Sequence, residues 1–100
     1  MFIAMNRFKI SNGNEDDFEK IWESRDSYLD EVDGFLGFNL VKGETNDKYT
    51  LYASHSTWRS ESHFKEWTKS EEFRKAHKNA GDNRKLYLDH PKFEGFTVVL

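Results

Sequence analysis

One hundred residues without a single cysteine suffice for one compact domain, residues 1–100, and exclude disulfides, thiolate metal sites and cysteine nucleophiles. A third of the residues are charged, but the signs nearly balance at a formal net charge of −3. That balance gives no electrostatic reason to expect nucleic acid or an anionic membrane as a partner.

Nine Phe, four Tyr and three Trp supply the apolar bulk of a folded core, each ring able to bury about 150–250 Å². The start, Met1 to Arg7, has neither a basic region nor an apolar run of signal-peptide length. No segment approaches the ~20 apolar residues of a membrane span. The expectation is a cytoplasmic protein.

Residues 2–10 alternate as a strand, with Phe2, Ala4, Asn6, Phe8 and Ile10 on one face. Ser11-Asn12-Gly13-Asn14 is turn chemistry, and Asn14 can cap a following helix whose first turn holds Glu15, Asp16 and Asp17. Phe18, Ile21, Trp22, Leu29 and Val32 follow helical spacing, interrupted by Arg25, and Gly34 ends the helix. Residues 35–42 and 49–58 read as an antiparallel pair joined by a hairpin loop over 43–47. Ser60 or Ser62 caps a short helix carrying Phe64 and Trp67. Ser70 starts another, closed by Gly81. Residues 82–92 read as a long loop, of a length that suits a lid, and residues 93–100 as the fourth strand.

The order β-α-β-β-α-β predicts an α+β, ferredoxin-like fold with helices on one face of a four-stranded antiparallel sheet. Large apolar groups on both faces of the strands, Ile3 and Met5, Leu36 and Phe38, Phe96 and Val98, would leave half of them exposed in a monomer. A face of that kind predicts a two-fold homodimer.

Three positions break the pattern of a plain core. Phe73, Ala76, His77 and Ala80 form the buried stripe of the 70–81 helix, so His77 points inward beside two small residues. A histidine so placed serves either as a hydrogen-bonded core residue or as a neutral imidazole ligand, the form that an axial haem ligand takes. Asn6 puts a carboxamide among apolar neighbours, which calls for a structural hydrogen bond or a ligand-facing donor. Trp67, three residues after Phe64, is either core or the wall of a flat apolar pocket. The other histidines, His55, His63 and His90, have no metal-site spacing, and no phosphate loop, nucleophile elbow or dinucleotide fingerprint is present.

Asn6 in the first strand, Phe64-Lys65-Glu66-Trp67 and Ser70-Glu71-Glu72-Phe73-Arg74-Lys75-Ala76-His77 together resemble the IsdG-type haem-degrading monooxygenases. These belong to the antibiotic-biosynthesis-monooxygenase superfamily of dimeric α+β barrels. The resemblance runs over nearly the whole chain and includes the Gly34-Phe35-Leu36-Gly37-Phe38 run that opens the second strand and Trp58-Arg59-Ser60 at the end of the third.

The resemblance implies that His77 is the axial iron ligand, that Asn6 hydrogen-bonds the distal oxygen, and that Trp67 presses on the haem and distorts it. Haem would be both substrate and cofactor, cleaved with O2 and electrons from an external reductase or small reductant. Trp22, Phe64 and Phe73 would wall in the porphyrin, and Arg25 would either reach a propionate or cover the helix edge at the surface. Two other readings use the same barrel: a cofactor-free oxygenase of a quinol or polyketide, and a non-enzymatic haem-binding protein.

Overall fold

The computed structural model describes residues 1–24, 29–71, 73 and 86–100. The expectations for Arg25, and for His77 with Ala76, Ala80 and Gly81, lie outside the described residues.

The elements run β1 (Phe2–Ser11), α1 (Glu15–Ser24), β2 (Phe35–Thr45), β3 (Tyr49–Trp58), α2 (Glu61–Thr68) and β4 (Lys92–Thr97). The strands form one antiparallel sheet in the order β2-β3-β1-β4. This is the ferredoxin-like arrangement that the sequence predicts. Among the described residues no helix is long and apolar enough to cross a membrane.

Alternation along β1 buries Phe2, Ala4, Phe8 and Ile10 on the helix side. They meet Trp58 and Tyr52 of β3, Phe18 of α1, and Leu29, the largest of these being almost fully buried. Burying rings of this size against one another is the main source of stability in so small a core. Asn14 takes the cap position of α1, its carbonyl accepting from the Phe18 N–H at 3.0 Å, and the Glu15 carboxylate accepts from the Gly13 N–H at 2.8 Å. Ser60 caps α2, its hydroxyl accepting from the His63 N–H.

Four boundaries differ from expectation. First, α1 is described over Glu15–Ser24, and residues 29–34 are not helical, so the helix does not run to Gly34. Leu29 and Val32 reach the core from a turn in which the Val32 N–H bonds the Leu29 carbonyl at 3.0 Å. Asp30, Glu31 and Asp33 would have stood at the negative end of the longer helix, where carboxylates are disfavoured.

Second, β2 continues to Thr45, and β4 spans 92–97 rather than 93–100. The Val98 N–H still bonds the Met1 carbonyl, but Val99 and Leu100 lie exposed beyond the strand.

Third, residues 86–91 are not a free loop. Tyr87 bridges to Ile10, the Leu88 N–H donates to the Lys9 carbonyl at 2.9 Å, and the Tyr87 ring packs on Phe8 and Phe18. A lid could not draw on this stretch without breaking those contacts.

Fourth, a bulge lies between Phe35 and Gly37: both Phe35↔Trp58 and Gly37↔Thr57 pair, leaving Leu36 as an extra residue. Phe35 and Phe38 therefore both face the helices, and Phe38 is not an outer-face residue. Ile3, Met5, Val41, Leu51 and Phe96 fall on the outer face by alternation, with Phe96 and Val41 each more than 40% exposed.

Candidate functional site

Between the sheet and the helices lies a cavity of about 420 Å³. Its floor is built by register. Phe38, Ser56, Ala4 and Gly95 lie in one row across β2, β3, β1 and β4, and Leu40, Ser54, Asn6 and Phe93 lie in the next. The rows place Asn6 between Ser54 and Phe93, so its carboxamide emerges in a largely apolar hollow.

Aromatic rings form the walls. On one side Trp22 of α1 stacks on Phe38 of β2, with centroids 5.6 Å apart and planes at 15°. On the other Phe64 of α2 stacks on Phe93 of β4 at 5.5 Å and 5°. Trp67 lies between, 5.4 Å from the Trp58 ring and edge-on to Phe73 at 4.8 Å. The Ser70 hydroxyl accepts from the Phe73 N–H at 3.2 Å, the cap expected at the start of the next helix.

The structure thus brings together Asn6, Trp22, Phe64, Trp67 and Phe73 of the predicted set around one cavity. Ser54, Phe38, Phe93, Leu29 and Thr68 also line it, and the sequence does not single them out. A signal for Ser54 exists: it shares the phase of Ser56 and Trp58 on β3, but only the β1–β3 register places it beside Asn6.

The helix side is fixed to the sheet at the far end of β3. The buried Thr50 hydroxyl donates to the Glu15 carboxylate at 2.8 Å while the Thr45 hydroxyl bonds Thr50 at 2.9 Å. The Tyr52 hydroxyl donates to Glu19. Hydrogen bonding, chiefly from Thr50, holds the Glu15 carboxyl below its usual range. Burial, reinforced by the Glu19 carboxylate, pushes the Tyr52 phenol far above its usual range. These bonds anchor α1 and so set where Trp22 stands over the cavity.

The three weaker histidines play no part in the cavity. His55 lies on the outer face. The His63 ring nitrogen Nδ1 bonds the Ser60 hydroxyl at 2.7 Å, with Nε2 3.5 Å from Asp33, which makes His63 less exposed than its helix position predicts. His90 is exposed beside Pro91.

The sequence pattern of the antibiotic biosynthesis monooxygenase family matches residues 1–79. The chain belongs to this family. A haem-degrading monooxygenase of Listeria monocytogenes is 43% identical to it over 70 residues, a match covering 69% of this chain and 58% of that relative's length.

Two solved structures share the fold. The haem degrader MhuD of Mycobacterium tuberculosis, with two haems in its active site, superposes with a TM-score of 0.71 at 19% identity, covering 100% of this chain and 97% of MhuD. SnoaB of Streptomyces nogalater, a cofactor-independent oxygenase, does so with a TM-score of 0.70 at 20% identity, covering 99% and 93%. At these identities the likeness establishes the fold alone. Since one such fold serves a haem degrader and another an oxygenase without a cofactor, the chemistry has to be argued from side chains.

Proposed function

We propose that this chain is a haem-degrading monooxygenase, using O2 and electrons from an external donor to open the porphyrin and release iron. The observation that carries the reading is the cavity itself: a hollow walled by Trp22, Phe38, Phe64, Phe93 and Trp67, with the Asn6 carboxamide on its floor. Flat aromatic walls suit a large apolar macrocycle, and a neutral amide donor offers a hydrogen bond without adding charge. The 43% identity to a haem-degrading relative supports the same reading.

In this proposal His77 would ligate the haem iron. It stands four residues after Phe73, and in a helix begun at Ser70 it would share the face that Phe73 turns to the cavity. Asn6 would hydrogen-bond a small ligand through its amide N–H. Trp67, braced by Trp58 and Phe73, presses on the macrocycle. Arg25 is assigned to a propionate. Haem, when bound, supplies the oxygen chemistry, and the chain supplies position, hydrogen bonding and exclusion of water. Two copies pair through the outer sheet faces around Ile3, Met5 and Phe96 to give an α+β barrel, since an apolar face of that kind is stabilised by a partner.

Anaerobic titration with hemin, followed by oxygen and a reductant, tests the reading. A Soret band that His77→Ala abolishes, then bleaching with iron release and an oxygenated tetrapyrrole by mass, is the expected result. A stable spectrum under oxygen would make the chain a haem carrier. No band at all, with oxygen uptake on a quinol, would make it a cofactor-free oxygenase.

A further inference from the structure

Two serines stand on the cavity floor, and their hydroxyls are used differently. Ser56 is engaged by the protein: its hydroxyl accepts from the Trp58 indole N–H at 2.9 Å and donates to the Ala4 carbonyl at 3.4 Å. Ser54, two residues earlier on the same face, is only 8% exposed, yet its hydroxyl makes no hydrogen bond to the described residues. Its Cα partner across the ladder is Asn6. Side chains directly opposite on adjacent strands have Cβ atoms about 4.5–5.5 Å apart, close enough for both to touch one small ligand. Leu40 and Phe93 flank the pair in its row across the sheet.

A hydroxyl that opens on the cavity without a protein partner is available to bond whatever the cavity holds. We propose that Ser54 is a second ligand-facing hydrogen-bond donor, acting beside Asn6 on the same small ligand in the cavity. Its hydroxyl both donates and accepts, whereas the amide N–H of Asn6 only donates. The pair therefore reads a small anion or oxygen ligand with one fixed and one rotatable donor. This rests on the haem reading above and adds to it a residue on a different strand.

The test uses the hemin-loaded full chain titrated with sodium azide, whose far nitrogen accepts hydrogen bonds. Ser54→Ala is expected to weaken azide binding about three- to tenfold while leaving hemin affinity unchanged. Ser54→Thr, which keeps the hydroxyl, is expected to return azide affinity close to that of the parent. Equal azide affinity in the parent and Ser54→Ala overturns the proposal, as does a lowered unfolding midpoint with no change in azide binding, which marks a structural serine. Failure of the parent to take up hemin overturns the haem reading first and this assignment with it.

Discussion

The ring of His63 fills the space into which a side chain at Gly34 would project: an added Cβ would stand 2.3 Å from its Cγ. Gly34 also sits at φ +84°, a left-handed conformation that L side chains rarely adopt. Its carbonyl accepts from the Arg59 N–H at 2.7 Å, so the backbone cannot easily swing away. Gly34→Ala is expected to cost about 2–4 kcal/mol, seen in urea unfolding as a lower midpoint at unchanged slope.

Tyr52 is 1% exposed and gives its proton to Glu19, whose side chain remains 47% exposed. Because Glu19 returns to water, Tyr52→Phe should cost only about 1 kcal/mol at neutral pH. The phenol's folded pKa is raised, so its stabilising contribution is full below the unfolded value of 10.0 and is lost as pH rises towards the folded one. Chemical unfolding from pH 8 upwards should show the parent losing its advantage over Tyr52→Phe beyond about pH 10.

Glu15 shifts the other way. Its folded pKa lies below 4.5, so its contribution is present above that value and lost as pH falls through the folded pKa. Thr50→Val removes the principal bond, and Glu15 should then titrate closer to its ordinary range. Carboxyl resonances followed by NMR from pH 6 to pH 2 check this directly, and an unchanged Glu15 midpoint would refute it.

Asn6 and Trp67 are assigned to turnover rather than to retention of haem. Asn6→Ala should keep the Soret band yet slow degradation about a hundred- to a thousandfold, the usual loss on removing one preorganised donor. Trp67→Phe should also keep haem and slow turnover. Loss of haem from either folded variant would show that the assigned role is wrong.

Phe96 stands opposite Ile3 on the outer face and is 47% exposed. Phe96→Glu would force a carboxylate into the proposed interface, where an unpaired charge is strongly disfavoured. Light scattering should report a dimer for the parent and a monomer for the variant.

Much of the fold is legible in the chain. The alternation of Phe2, Ala4, Phe8 and Ile10 marks β1, and the cap residues Asn14, Ser60 and Ser70 mark three helix starts, because each of these signals is local. Asn6 stands out because a carboxamide interrupts an apolar face, whereas Trp67 keeps the helical spacing set by Phe64 and stands out only through the family resemblance. Features set by pairing are hidden. Ser54 looks like any strand serine until the ladder puts it beside Asn6. Tyr87 reads as loop because Leu86-Tyr87-Leu88 is a short apolar run between charged stretches, and its burial depends on the contact with Phe8 and Phe18. The non-helical run from Leu29 to Gly34 holds three carboxylates that would oppose a helix dipole, a local signal that the apolar spacing outweighs.

The extra residue at Leu36 lets Phe35 and Phe38, three positions apart, turn the same way, which an unbroken strand forbids. Strand length is therefore forgiving at one point and strict just after it. Removing Leu36 would straighten the strand and leave Phe38 still aimed at Trp22. Removing Asn39 instead would put Leu40 out of step, sending it to the outer face and Val41 to the helix side of the sheet. The width of the binding slot is thus encoded partly as a count of residues, and lengthening or shortening β2 beyond Phe38 would alter what the pocket accepts more than most substitutions could.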